Sequence, residues 1–293
     1  MSTVSQSLIS AGRLASQLQQ ALSLFNHVEW VESTSSTNAD LIQRARSQTG
    51  QLMRPWLLGA HLQTEGRGRA GRTWQNRAGA HLMFSCAFDV FVPSRSLATL
   101  SPLAGIAACE GLRQLLPTQH QQALTLKWPN DLLWYGAKLA GILTEVTRAS
   151  TAPGSTDHHV IVIGIGINLD DARALSQSLN RQIADWRGVC DDCPDIQAHR
   201  HADIVAQIAK AWYEAMNQTT AFGFQDLAPR YAKVDALAGQ HVCILDNGKT
   251  LHSGTACGIN EQGQLLVRTL HGVEAISVGE VSVRPTQQRQ PIS

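Results

Sequence analysis

No stretch of this chain stays apolar for the ~20 residues that a bilayer span takes. The first residues carry neither a charged cluster nor an unbroken apolar segment, so a secretory leader is not expected. Charge of one sign is also lacking: 24 basic and 23 acidic side chains leave a net charge of +1. Dedicated nucleic-acid and membrane-surface binders carry a large basic excess, so both classes are disfavoured. Lysine is scarce, with five residues against nineteen arginines, and two of the five, Lys127 and Lys138, fall in one motif. Internal repeats are absent. The six cysteines (Cys86, Cys109, Cys190, Cys193, Cys243 and Cys257) are dispersed, which suits free thiols in a reducing cytoplasm. Cys190-x-x-Cys193 with His199 and His201 resembles half of a zinc knuckle, but no second Cys-x-x-Cys exists and no metal is expected there. A length of 293 residues, 43% hydrophobic and 16% charged, suits an ordinary globular protein of two domains.

What the chain does have is an arginine–glycine loop, Gln63-Thr-Glu-Gly66-Arg67-Gly68-Arg69-Ala-Gly71-Arg72-Thr-Trp74. Each guanidinium is a planar fork of donors that stays charged at working pH. Glycine lets backbone approach a bound group closely. Such a loop is suited to a dense anion, carboxylate and phosphate together. Gly66, Gly68 and Gly71 satisfy G-x-G-x-x-G, but that fingerprint requires a helix opening inside it. Here a second strand-like run, Leu82–Phe88, follows instead, and no Gly-Lys-Ser/Thr ends the loop. The anion is therefore expected on side-chain guanidiniums and not on a helix N-terminus.

Leu14, Leu18, Leu22 and Phe25 mark an amphipathic helix over 7–25. A strand over 27–32 runs into Ser33-Thr-Ser-Ser36-Thr37-Asn38, hydroxyls that open a helix and can also face a polar ring. Ser101-Pro102 starts a helix to about Leu116, with Ser101 as cap and Pro102 at the first helical position. Strand-like runs follow over 124–128, 138–147 and 159–169, and helical ones over 175–186, 204–216 and up to Lys233. After Asp235 short β-rich runs alternate with glycine turns, Asn247-Gly248 the strongest, which predicts a small closed barrel and a frayed tail.

Two further segments carry chemistry. Lys127-Trp128-Pro129-Asn130-Asp131 ends a strand in a turn, and Lys138-Leu-Ala-Gly141 begins another whose glycine permits close approach. Gly164-Ile-Gly166-Ile-Asn168 places two glycines on one side of a strand that ends in a carboxamide. Singly, each glycine fits a bulge and Asp131 a turn cap. No Ser, Cys or His is arranged as a nucleophile.

In order and spacing these blocks resemble the biotin–protein ligase family, from Ser36-Thr37-Asn38 through the arginine–glycine loop to Gly239-x-x-Val242 and Gly279-Glu-Val-Ser-Val-Arg284. The resemblance implies an α/β fold: a mixed sheet with helices on one side, then a small SH3-like barrel. The divisions expected are an N-terminal helix over 1–27, a catalytic domain over 28–236, the barrel over 237–286 and a tail. A single N-terminal helix matches the monofunctional type without a DNA-binding domain, so neither repression nor nucleic acid is carried over. The implied activity joins biotin and ATP, with Mg²⁺, into biotinyl-adenylate, and then passes biotin to a lysine of the biotin carboxyl carrier protein of acetyl-CoA carboxylase.

By the same resemblance biotin meets Ser36, Thr37, Asn38, Gln63, Arg67, Gly68, Arg69, Lys138, Gly141, Gly164 and Gly166. The nucleotide meets Arg67, Arg69, Trp74, Lys127, Asn130, Asp131, Lys138 and Asn168. Arg69, Lys138 and Asp131 are the catalytic candidates, Asp131 as base or orienting group toward the incoming lysine. Magnesium is expected on the phosphates, with no protein metal site. The loop 66–74 is expected to be loosely held until it folds over ligand. A weak homodimer by sheet extension is left open. The alternatives are a lipoate or octanoate ligase of the same fold, whose Arg-Arg-x-Ser-Gly-Gly-Gly loop is absent, and a biotin-sensing module without ligase activity.

Overall fold

In the computed structural model, residues 9–47, 53–148, 157–246, 249–278 and 282–285 are described. The helices are α1 (Ala11–Ala21), α2 (Thr37–Ser47), α3 (Leu100–Arg113), α4 (Ala172–Leu179), α5 (Trp186–Asp192), α6 (His201–Phe222) and α7 (Leu227–Ala232). Seven strands form the large sheet: β1 (His27–Thr34), β2 (Trp56–Gln63), β3 (His81–Phe91), β4 (Leu124–Lys127), β5 (Asp131–Trp134), β6 (Ala137–Arg148) and β7 (His158–Asn168). Their order is β1-β2-β3-β7-β6-β5-β4. β1 and β2 are parallel, and every other neighbouring pair is antiparallel. Sequence reasoning missed β5, which is four residues long and joined to β6 by the tight turn Tyr135-Gly136, both at positive φ.

Strand alternation assigns the two faces. Ile161, Ile163, Ile165 and Ile167 of β7 enter the core under α1, α3 and α6, where Trp212 donates to the Ala104 carbonyl. Val160 and Val162 face the other way and pack with Trp56, Leu58 and Ala87 against Leu41 and Ala45 of α2. The resemblance implied helices on one side only; α2 corrects this, since it lies on the opposite face. Being three turns long, α2 covers only part of that face. Beyond its N-terminus the sheet carries glycines, and a cleft remains.

Helix α1 is shorter than expected, yet Leu14, Leu18, Leu22 and Phe25 are all buried. Helix α3 grows out of a 3-10 turn over Ser94–Thr99, so Ser101 is not its cap. Pro102 is still accommodated in the first turn, where its missing N–H has no helical partner to lose.

The C-terminal sheet is antiparallel, built from β8 (His241–Asp246), β9 (Lys249–Ile259), β10 (Leu265–Thr269), β11 (Gly272–Ile276) and β12 (Ser282–Pro285) in the order β11-β10-β9-β8-β12. β11 and β12 are its edges and do not pair with one another among the described residues. Asn247-Gly248, residues 279–281 and the tail lie outside the described residues, although Asp246 pairs with Lys249 across the expected turn. The turn between β9 and β10 docks on the large unit: Trp128 Nε1 donates to the Gly263 carbonyl at 2.9 Å and Thr99 Oγ1 to the Gln262 carbonyl at 2.9 Å. Gly263 has φ +73, and a Cβ there would stand 2.7 Å from Pro102 Cγ.

Replacing Trp128 with Phe keeps the ring's packing but leaves the buried Gly263 carbonyl without its donor, a loss of about 1–3 kcal/mol. A lowered thermal midpoint is the expected outcome; an unchanged one would mean the bond contributes nothing to docking.

Candidate active site

The cleft floor is set by strand register. Met83, Gly166 and Gly141 stand side by side on β3, β7 and β6, and Ser85, Gly164 and Leu143 form the next row. The glycines serve different neighbours. A Cβ on Gly164 would fall 2.0 Å from Asn38 Oδ1, so Gly164 admits Asn38 to the sheet. A Cβ on Gly166 would stand 2.5 Å from the Trp74 ring, and one on Gly141 3.1 Å from that ring and from Lys138 Nζ. Trp74 therefore covers the floor, its Nε1 buried and without a partner among the described residues. Lys138 Nζ sits 5.6 Å from the indole centroid, within cation–π range. His81 stands edge-on to the same indole at 6.2 Å. Burial holds the His81 pKa below its ordinary value, so this imidazole is neutral and brings no second charge to the ring.

One end of the cleft is polar and uncharged. At the N-terminus of α2, Thr37 donates its backbone N–H to Gln63 Oε1 at 2.8 Å, and its hydroxyl lies 2.7 Å from Ser85 Oγ. Ser85 donates to Asn38 Oδ1 at 2.6 Å, and Asn38 Nδ2 donates to Glu145 Oε2 at 2.8 Å. Ser36 Oγ accepts the Ala39 N–H. Gln63 is pinned through its backbone by Asn76, which accepts from its N–H and donates to its carbonyl.

The other end is cationic. Residues 66–74 fold into a hairpin: Trp74 N–H donates to the Gly66 carbonyl, Gly68 N–H to the Arg72 carbonyl, and Arg67 bridges Thr73. Its tip turns through Ala70 and Gly71, both at positive φ. These bonds give the arginine–glycine loop a defined hairpin path beside the cleft. Arg69 Nη1 donates to Asn130 Oδ1 at 3.1 Å, and Asn130 Nδ2 donates to the Ile142 carbonyl. Next to them Lys138 Nζ contacts Asp131 Oδ1 at 2.6 Å. Burial draws the Arg69 pKa down from its ordinary value, Asp131 pushes it back up and Arg72 lowers it again; the guanidinium still keeps its charge at working pH.

A third segment completes the site. Residues 181–184 pair alongside Lys138, whose N–H donates to the Gln182 carbonyl while its carbonyl accepts from Ala184 N–H. This brings Arg181 to the cleft wall and explains what the stretch after β7 does there. It also moves Asn168 off the nucleotide side. Its carboxamide is buried and donates to the carbonyls of Lys138 and Ala184, and it is not among the lining residues.

The structure brings the remaining expected residues together: Ser36, Thr37, Asn38, Gln63, Arg67, Gly68, Arg69, Trp74, Lys127, Asn130, Asp131, Lys138, Gly141, Gly164 and Gly166 all line one cleft. Its walls carry six cationic side chains (Arg67, Arg69, Arg72, Lys127, Lys138 and Arg181) and one carboxylate, Asp131. Sequence reasoning missed Ser85, Arg181 and Val283 of the C-terminal sheet as lining residues. Ser85 had a signal, a lone hydroxyl inside the apolar run of β3; the other two had none.

Among the described residues no group of three or more His, Cys, Asp or Glu is arranged to hold a metal. None of the six cysteines lines the cleft. Burial pushes the Cys190 thiol up to about 11 and the Cys109 thiol up to about 12.

Comparison with known proteins agrees with this geometry. The pattern of the Biotin/lipoate A/B protein ligase family matches residues 30–168, and that of the Biotin protein ligase C terminal domain matches 238–284. The chain is 31% identical over 269 residues to the biotin–[acetyl-CoA-carboxylase] ligase of Mycobacterium tuberculosis, spanning 92% of this chain and 93% of that relative. It is 30% identical over 284 residues to the bifunctional ligase/repressor BirA of Salmonella typhimurium, spanning 96% and 80%. A solved structure of biotin protein ligase from Aquifex aeolicus in complex with biotin and ATP shares the fold, with a TM-score of 0.67 over 89% of this chain and 99% of that one at 23% identity. On its sequence and its fold alike, this chain belongs to the biotin–protein ligase family.

Proposed function

We infer that this chain is an ATP-dependent biotin–protein ligase that makes biotinyl-adenylate and transfers the biotinyl group to a lysine of a biotin-carrying protein. The carrying observation is the bond from Arg69 to Asn130 beside the Lys138–Asp131 pair, which joins two distant segments around one anion site. In the first half-reaction a biotin carboxylate oxygen attacks the α-phosphorus of ATP, and the bond to the β-phosphate breaks to release pyrophosphate. Two anions must meet, and the cationic walls offset their repulsion. Arg69 and Lys138 serve the charge that grows on the phosphoryl oxygens. In the second half-reaction the acceptor amine attacks the acyl carbon, AMP leaves, and the amine loses a proton. Asp131 is the one carboxylate lining the cleft, so we assign it to receive that proton or to orient the amine. Its Oδ1 is engaged by Lys138 Nζ, and a shift of the ammonium onto substrate would free it.

Ser36, Thr37 and Gln63 suit biotin's ureido ring, and the cationic end suits the carboxylate and the nucleotide. The cleft does not fit a resident Mg²⁺, since its single carboxylate is engaged by Lys138. Any magnesium is assigned to the ATP phosphates. The relatives' names point to the carrier protein of acetyl-CoA carboxylase as acceptor. We assign the chain to the cytoplasm, where its six free thiols persist. We also divide it near residue 236 into a catalytic unit and a barrel. Among the described residues β1 pairs on one side only, which leaves an edge for a weak homodimer.

Biotin-dependent exchange of labelled pyrophosphate into ATP tests the activity; exchange with lipoate and not biotin would transfer the assignment to the lipoate ligases. In that assay Arg69→Gln and Lys138→Met should each lose about 10²–10³-fold, the usual cost of one preorganised donor. An Asp131→Asn protein given preformed adenylate should transfer biotin about 10²-fold or more slowly if the carboxylate takes the proton. Full-rate transfer would remove Asp131 from that role. Biotin with ATP should protect Arg67 and Arg72 from trypsin, because the loop closes over the adenylate; equal cleavage with and without them contradicts the closure.

A further inference from the structure

We propose that Glu145, which does not line the cleft, fixes the pattern of hydrogen-bond donors and acceptors offered to biotin's ureido ring, acting through Asn38 and Ser85. The proposal rests on the reading of this cleft as a biotin site. It follows from counting protons along one chain of contacts.

A carboxylate only accepts hydrogen bonds. Glu145 Oε2, 2.8 Å from Asn38, therefore selects the NH₂ face of that carboxamide and turns Oδ1 toward Ser85. The Leu143 carbonyl, at 3.4 Å from Nδ2, is too distant to hold that orientation alone. A carboxamide oxygen likewise only accepts, so Ser85 gives its one proton to Asn38 at 2.6 Å. Ser85 must then accept from Thr37 at 2.7 Å, which uses the single proton of the Thr37 hydroxyl.

Thr37 Oγ1 and Gln63 Oε1 are thereby left 3.2 Å apart as two acceptors with no hydroxyl proton between them, both on the cleft wall. Gln63 Oε1 takes the backbone N–H of Thr37 and keeps a second lone pair. Ser36 Oγ accepts from Ala39 and keeps its proton. Two acceptors and one donor match the N–H and C=O groups of a cyclic urea. With the carboxamide of Asn38 turned over, Ser85 would donate to Thr37, and Thr37 would donate to Gln63. A ligand N–H would then meet a filled acceptor pair.

The position of Glu145 agrees with a relay. It follows Gly141 and Leu143 at period two on β6, beside α2, and reaches the cleft only through Asn38. Gly164 provides the space in which Asn38 lies.

The test is a double-mutant cycle on Glu145→Leu and Asn38→Ala, with Glu145→Gln as the conservative variant, read as KM for biotin and for ATP in pyrophosphate exchange. Glu145→Leu should raise the biotin KM about tenfold or more, with the ATP KM unchanged within twofold. Glu145→Gln, whose amide oxygen can still face Asn38, should recover most of the loss. In the Asn38→Ala background the Glu145 substitutions should add nothing, because the relay is already cut. Additive losses, or a parallel rise in both KM values, would overturn the relay. Should Glu145→Leu fail to fold, Glu145→Ala, which removes the carboxylate without adding an apolar branch, carries the same cycle. Wild-type protein that exchanges with biotin while Glu145 variants match it refutes the relay alone; wild-type protein that fails to exchange refutes the biotin assignment.

Discussion

The arginine–glycine hairpin, the Lys127–Asp131 turn and residues 181–184 meet at Lys138. Its ammonium contacts Asp131 and faces the Trp74 ring; its backbone N–H and carbonyl hold residues 182 and 184; its carbonyl also accepts from Asn168. The ion pair is partly withdrawn from water, with side chains 14% and 25% exposed. Attraction at 2.6 Å amounts to several kcal/mol at an effective dielectric of about 20, but desolvation of both ions cancels much of it. The pair is therefore better understood as an aiming device than as a source of stability. It fixes the direction of the ammonium, over Gly141 on the floor and next to the turn that presents Asn130.

A near-neutral chain with six cations around one cleft has concentrated its charge in a single place. Like charges brought together repel, and Arg72 already lowers the pKa of Arg69. The six cations are spread over four supports: three on the 66–74 hairpin and one each on a strand-ending turn, a strand start and the loop after β7. An arriving polyanion relieves the repulsion, so the charge pattern itself favours the bound form. The uncharged end of the cleft needs the opposite treatment, because burial there penalises any unpaired polar group. Its hydroxyls and carboxamides are accordingly linked into one connected chain.

What the sequence revealed followed from how local the signal was. The arginine–glycine loop and the Lys127–Asp131 turn are contiguous, so composition alone exposed their charge and their turn geometry. The resemblance put Gly164 beside biotin, and in the structure its missing side chain makes room for Asn38. A missing Cβ cannot announce which neighbour uses the space. Asn168 shares its face of β7 with Gly164 and Gly166, and the resemblance put it with the nucleotide. Residues 181–184 then cover it, and Arg-Gln-Ile-Ala is too short a run to read as a strand partner of Lys138. The same four residues deliver Arg181, which explains why that cation and the misplacement of Asn168 escaped notice together. β5 was missed because four residues give too little alternation to separate strand from turn. The helix on the far face was legible as α2 but not by side, since an amphipathic pattern names a buried stripe and not the sheet face that buries it.

The turn at Lys127–Asp131 shows how tightly the two units are joined. All five residues of the turn line the cleft, and the indole N–H of Trp128 is directed at the Gly263 carbonyl. A side chain of that size cannot leave its seat without moving the turn on both sides of it. The C-terminal sheet also sends Val283 to the cleft wall and rests its β9–β10 turn on Pro102 and Thr99. Its position and that of Asn130 are therefore a single mechanical variable. Asn130 in turn carries Arg69 through one hydrogen bond, so the placement of the loop's guanidinium depends on contacts made by the far side of the same pentapeptide. One residue of the turn, Trp128, thus serves the cleft and the C-terminal sheet at once.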